Sequence, residues 1–126
     1  MSYSFPIIVK EKDSGDIYKC NSIADMQYHF EAIDIENMEY EAWDSRAIPL
    51  LLKVQKGPTW IKIEPQNSEA RPDEVREAIL QYAKNVGLDI KEDVGPDNFA
   101  LVLDKITEEL ERRKPKSLFQ RIFGRK

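Results

Sequence analysis

A chain of 126 residues, 41% hydrophobic and 33% charged, is sized for one compact domain with a real core, and its composition is not that of a disordered segment. Apolar runs no longer than Ile48–Leu52 exclude a membrane-spanning helix, and a single cysteine, Cys20, excludes an intrachain disulfide and a cysteine zinc cluster. The net charge of −4 conceals a division: residues 1–111 hold all 23 acidic side chains against 12 basic ones, whereas residues 112–126 hold seven basic side chains and no acid. An acidic body argues against nucleic acid as a partner, and the segregated charge points to a tail with a partner of its own.

In chain order, FPIIVKEK is rich in β-branched residues and predicts a first strand, with Ser14-Gly15 as a tight turn and IYKC as the return strand. The period then changes. Ser22 with Asp25 three residues on has the form of a capping box, and Ile23, Met26, Phe30 and Ile33 recur at helical spacing, so one helix is expected over NSIADMQYHFEAI. NMEYEAWD alternates, with Met38, Tyr40 and Ala42 on one side and Glu39, Glu41 and Trp43 on the other. SRAIP reads as a hairpin connection to LLLKVQ, and Gly57-Pro58 turns the chain into WIKIEP. Leu50, Leu52 and Val54, then Ile61 and Ile63, are expected to line the core.

After the polar QNSEAR, a helix opens at Pro72 with two early acids and stops at Gly87; its stripe is Val75, Ile79, Tyr82, Ala83 and Val86. LDIKEDVG fits a short strand or a loop. PDNFALVLDKITEELERRK predicts the last helix, with the stripe Phe99, Val102, Leu103, Ile106 and Leu110. Arg112, Arg113 and Lys114 close it as a helix dipole favours, and Pro115 interrupts it. The expected fold is α+β, an antiparallel sheet of about five strands with helices packed on one face, in the order β-β-α-β-β-β-α-α. Residues 1–114 form the domain and residues 115–126 a basic amphipathic tail.

No reaction is written in these residues. His29, the only histidine, sits beside the core residue Phe30, and no nucleophile is placed to converge on it. Cys20 reads as a partly buried small residue ending a strand. Counted from Asp89, an oxygen-ligand calcium loop would need glycine where Val94 stands and glutamate where Ala100 stands. Glu39 and Glu41 are explained by a solvated strand face. No phosphate-binding glycine loop is present. The chain is therefore expected not to be an enzyme, with no catalytic, metal-binding or cofactor-binding residues and no cofactor.

Two contact surfaces are expected instead. Trp43 and Trp60 belong to the polar phase of their strands, with Leu51 in that phase of the strand between them. One sheet face would then show two tryptophans and a leucine with Glu39, Glu41, Lys53 and Lys62, as protein contact surfaces do. Two alternatives bury these rings: the N-terminal hairpin or the QNSEAR loop covers them, or the phase is one residue off.

The second surface is SLFQRIFGRK. Helical spacing would stack Leu118 on Ile122 and Phe119 on Phe123 on adjoining stripes, with Arg121 turned away and Arg125 at the basic flank. So short a helix is not stable alone in water and must dock to become ordered. Its host would be an anionic membrane surface, a groove on a partner protein, or the acidic body itself. Ser117–Lys126 resembles the C-terminal membrane-targeting sequence of the MinD family of bacterial division regulators, which ends in a similar phenylalanine-leucine, basic, apolar-phenylalanine-glycine run. The resemblance implies membrane contact by Leu118, Phe119, Ile122 and Phe123 and implies nothing about the domain.

The expected role is a non-enzymatic adaptor or accessory protein with a membrane- or partner-docking tail, cytoplasmic or peripheral to the inner face of the membrane. The alternative is an acidic inhibitor or immunity-like protein that neutralises a basic protein partner, with electrostatics speeding the encounter.

Overall fold

The computed structural model of the chain describes residues 2–66 and 69–113; the expected tail lies outside them. Five strands, β1 (Ile7–Glu11), β2 (Ile17–Cys20), β3 (Tyr40–Trp43), β4 (Pro49–Val54) and β5 (Ile61–Pro65), are joined by α1 (Ile23–His29) and α2 (Ala32–Glu36), and followed by α3 (Pro72–Asn85) and α4 (Phe99–Arg112). The α+β class and the antiparallel sheet stand as expected, with strand order β2-β1-β3-β4-β5.

The helices divide between the two faces of the sheet instead of sharing one. β2 and β3 both run antiparallel to β1, so they run parallel to each other and cannot be joined by a hairpin. The chain crosses over β1 through α1 and α2. These helices bury Met26, Phe30 and Ile35 against Ile7, Val9, Ala42, Leu50, Leu52 and Ile61. The opposite face, with Ile8, Ile17 and Trp43, takes Val75 and Ile79 of α3 and Phe99, Val102 and Ile106 of α4. Ile7, Ile8 and Val9 in succession are consequently buried, as in a strand covered on both sides.

The single helix expected over residues 21–33 is two. Ser22 Oγ accepts from the Asp25 N–H at 3.1 Å, while the Asp25 carboxylate accepts from the Asn21 N–H at 2.9 Å, fixing the start of α1. At Phe30 the backbone becomes extended, with φ −117° and ψ 146°. The Phe30 ring turns into the core, 4.6 Å from the Tyr40 centroid and 5.2 Å edge-on from Tyr18. That break shifts the helical phase, so Ile35 faces the sheet and Ile33 is 61% exposed.

The β3–β4 connection is organised by Asp44, which is fully buried. Its Oδ1 accepts from the N–H groups of Arg46 at 2.8 Å and Ile48 at 3.0 Å. Its Oδ2 accepts from the Ser4 N–H at 3.2 Å and lies 3.4 Å from the Arg46 guanidinium. This frame holds Ala47 in the left-handed region, at φ 66°.

The edge at β5 is blunted. Gln27 Oε1 accepts from the N–H groups of Trp60 at 2.8 Å and Ile61 at 3.3 Å, and Pro65 has no N–H to offer. No helix of the described residues is long and apolar enough to cross a membrane.

Candidate functional site

The register confirms the strand phase that places Trp43 and Leu51 on one face, since Trp43 pairs with Pro49 and Leu51 lies two residues on. What covers that face is α3. Trp43 is 3% exposed and its indole Nε1–H donates to Glu74 Oε1 at 3.3 Å. Trp60 does not join it. The β4–β5 ladder ends at Val54–Ile61, just short of Trp60. Beyond it Gln27 holds the Trp60 backbone, and the half-buried ring packs with the cluster under α1 and α2. The structure therefore does not bring Trp43, Leu51, Trp60, Glu39 and Glu41 into one exposed patch. The alternation rule holds within a ladder, and neither the cover of α3 nor the end of the ladder is visible to it.

Of the remaining members, Leu51 is half-buried and Glu41 is exposed. Glu39 stands at the turn from α2 into β3, where partial desolvation and then the Asp34 charge push its carboxyl up. The tail residues Leu118, Phe119, Arg121, Ile122, Phe123 and Arg125 lie outside the described residues.

Where α3 crosses the sheet a trough opens, with a volume of about 580 Å³. Its sheet wall is Lys10, Glu41 and the edge of Trp43; its helix wall is Asp73, Glu74 and Glu77, completed by Ala78 and Gln81. Four carboxylates thus face one ammonium. Lys10 and Glu41 are directly opposite across β1 and β3, so the lone lysine is flanked by acid. Such a surface attracts cationic groups and repels anionic ones, and low-dielectric walls strengthen the field between them.

The helix-wall residues escaped the sequence reading, although a signal exists. Asp73, Glu77 and Gln81 are spaced four apart, which puts them on one face of a helix. The acids of the first turn are accounted for by the helix dipole, so nothing in the sequence marks them as one wall of a trough.

The chemistry-bearing residues are not brought together. His29 is exposed at the end of α1, with the rings of Tyr28 and Tyr18 at 5.3 and 5.7 Å. Cys20 is fully buried, and desolvation followed by the Asp25 charge pushes its thiol up to about 12. Among the described residues, no three His, Cys, Asp or Glu side chains are grouped to hold a metal ion. The acid-rich loop before α4 is closed by Asn98, whose Oδ1 accepts from the Gly95 N–H at 2.8 Å and whose Nδ2 donates to the Asp93 carbonyl at 2.7 Å.

A smaller hollow of about 100 Å³ lies where β3 and β4 part beyond Ala42–Leu50, between Tyr40 and Leu52. Water occupies roughly 30 Å³ per molecule, so this space suits a few waters and no sizeable ligand. No family model, curated protein or solved structure matches the chain.

Proposed function

We propose that the chain is a non-enzymatic adaptor or accessory protein that acts by binding. The observation that carries this reading is the acid-lined trough between β1, β3 and α3, a recess of about 580 Å³ with four carboxylates around Lys10. Its chemistry suits a cationic protein segment. The C-terminal residues 115–126 supply a second attachment point, directed to an anionic membrane surface by Leu118, Phe119, Ile122 and Phe123 and by the adjacent Arg121 and Arg125. In this reading the protein works in the cytoplasm, peripheral to the inner face of the membrane.

The test is co-sedimentation with vesicles of equal parts phosphatidylcholine and phosphatidylglycerol. The full chain is expected to sediment, and the full chain carrying Phe119→Ser and Phe123→Ser is expected to remain in solution. Sedimentation that ignores the phenylalanines would sink the membrane half of the reading.

A second reading is favoured by the position of the trough wholly on the folded body. In it the protein is an acidic inhibitor or immunity-like factor whose trough neutralises a basic protein. An arginine-rich peptide would then bind equally to both versions of the chain, with affinity that falls steeply as salt rises.

A further inference from the structure

We infer that residues 115–126 of the same chain seat in the trough beside α3 whenever no membrane or partner claims them, so that the protein holds its own attachment points closed. This rests on the binding reading above and adds its regulation.

The first support is where the described chain ends. The last turn of α4 lies against the C-terminal end of α3: Arg113 Nη1–H donates to the Val86 carbonyl at 3.4 Å, and Gly87 borders the same guanidinium. The trough runs back along α3 from Gln81 to Asp73, which at 1.5 Å per residue is roughly 6 to 18 Å from Asn85. Residues 114–126 can extend to about 43 Å. The segment therefore reaches the full trough, with residues to spare for rounding the end of the helix.

The second support is charge. Residues 114–126 carry Lys114, Lys116, Arg121, Arg125 and Lys126 and no acidic side chain. The trough offers Glu41, Asp73 and Glu77 against Lys10, while Glu74 on the same wall already accepts from the Trp43 indole and lies 3.8 Å from the Arg71 guanidinium.

The third is the shape of the surface. Among the described residues, α3 and α4 pack against β2, β1 and β3 and no helix lies over the β4 side of that face, where Leu51 is half-buried. A volume of about 580 Å³ falls within the roughly 300–1,000 Å³ of a site that holds a small ligand, and it accommodates a few large side chains. A second hollow of about 480 Å³ lies between Leu80, Leu88 and Ile90, nearer the end of α4, but its one cation, Lys84, and one anion, Asp89, give it no acidic excess to attract a basic segment. A basic partner that enters the trough displaces the segment, and the freed segment becomes available to the membrane. Partner and membrane binding are then positively coupled.

Two measurements on the full chain test this. Amide and indole NMR spectra are compared with those of the full chain carrying Arg121→Gln, Arg125→Gln and Lys126→Gln. The Trp43 indole N–H and the amides of Glu41, Glu77 and Gln81 are expected to differ between the two at low salt and converge at high salt. Superimposable spectra, or differences centred on Leu88 and Ile90, overturn the inference.

In the second, Glu41→Gln with Glu77→Gln is expected to raise partition onto phosphatidylcholine–phosphatidylglycerol vesicles about three- to fivefold, the size of two exposed ion pairs. The control pair Glu31→Gln with Glu36→Gln removes equal charge from the exposed side of α2 and is expected to raise it less. Equal rises for both pairs overturn self-docking and leave the membrane reading standing. NMR differences at the trough with no partition by any version overturn the membrane reading and leave self-docking standing.

Discussion

Replacing Asp44 with alanine removes the acceptor for three backbone N–H groups at once, those of Ser4, Arg46 and Ile48, held at 2.8–3.2 Å. A hydrogen bond to a charged group contributes about 1.5–3 kcal/mol, and an abandoned buried donor costs about 1–3 kcal/mol. The three donors sit in half-buried backbone that water can partly reach, so the sum is discounted to about 3–5 kcal/mol, a large share of the roughly 5–15 kcal/mol typical of a whole domain. In urea, with a slope of about 2 kcal/mol per M, the midpoint should fall by about 2 M. Asp44→Asn, which retains the Oδ1 acceptor but presents an N–H to Ser4, should fall about half as far. A midpoint within about 0.5 M of the unaltered protein for Asp44→Ala would refute the view that this carboxylate organises the turn.

The alkaline limb of stability should be steep. The Cys20 thiol is raised from 9.0 to about 12 by burial and then the Asp25 charge, and the Tyr40 hydroxyl from 10.0 to about 12 by burial and then the charges of Asp34 and Glu11. Both groups stay neutral in the folded state where the unfolded chain would ionise. Their stabilisation is present below pH 9 and lost as pH climbs from 9 towards 12. Cys20→Ala should flatten that limb in pH-dependent urea unfolding, and an unchanged limb would contradict the assignment. For the same reason the native thiol should resist an aromatic disulfide reagent until the protein is unfolded. Gln27→Ala frees the N–H groups of Trp60 and Ile61 and the Pro58 carbonyl. It should cost about 1–2 kcal/mol in denaturant unfolding and produce concentration-dependent association on size-exclusion chromatography as the β5 edge opens. A monomer of unaltered midpoint would show that Gln27 does not guard the edge.

How far the fold can be read from the sequence is clearest at three places. The run Ile7–Ile8–Val9 carries its meaning openly, since three successive apolar residues in a strand require cover on both faces. Read only as β-branched richness, it predicts the strand but not the second helical layer. Phe30 shows a limit of periodicity: Met26 and Phe30 are four apart and both buried, yet the backbone leaves the helix at Phe30 because the ring is needed between Tyr18 and Tyr40. Trp43 shows another. Its phase is legible from alternation alone, but whether that face is wet depends on where α3 lies, and α3 is separated from β3 by two further strands and a polar loop. The trough inherits the same limit, because Glu41 and Glu77 become neighbours only through long-range packing.

The face beyond Leu51 does not by itself call for an occupant. Lys53 and Lys62 stand opposite each other across β4 and β5, and Glu64 bridges them with Oε1 at 3.3 and 3.4 Å. The hydrogen bond and charge of Lys53, followed by those of Lys62, hold the Glu64 carboxyl below its ordinary range. That strip is a solvated, internally matched array in which like charges that would destabilise the pairing share one acid. A cationic segment laid over it would meet two lysines. Beside α3 the balance reverses, to Glu41, Asp73 and Glu77 with Lys10, in a recess instead of on an open face. On the docking inferred above, the strip beyond Leu51 offers a basic segment two lysines sharing one acid, whereas the trough offers an acidic lining, so the segment would favour the trough along α3.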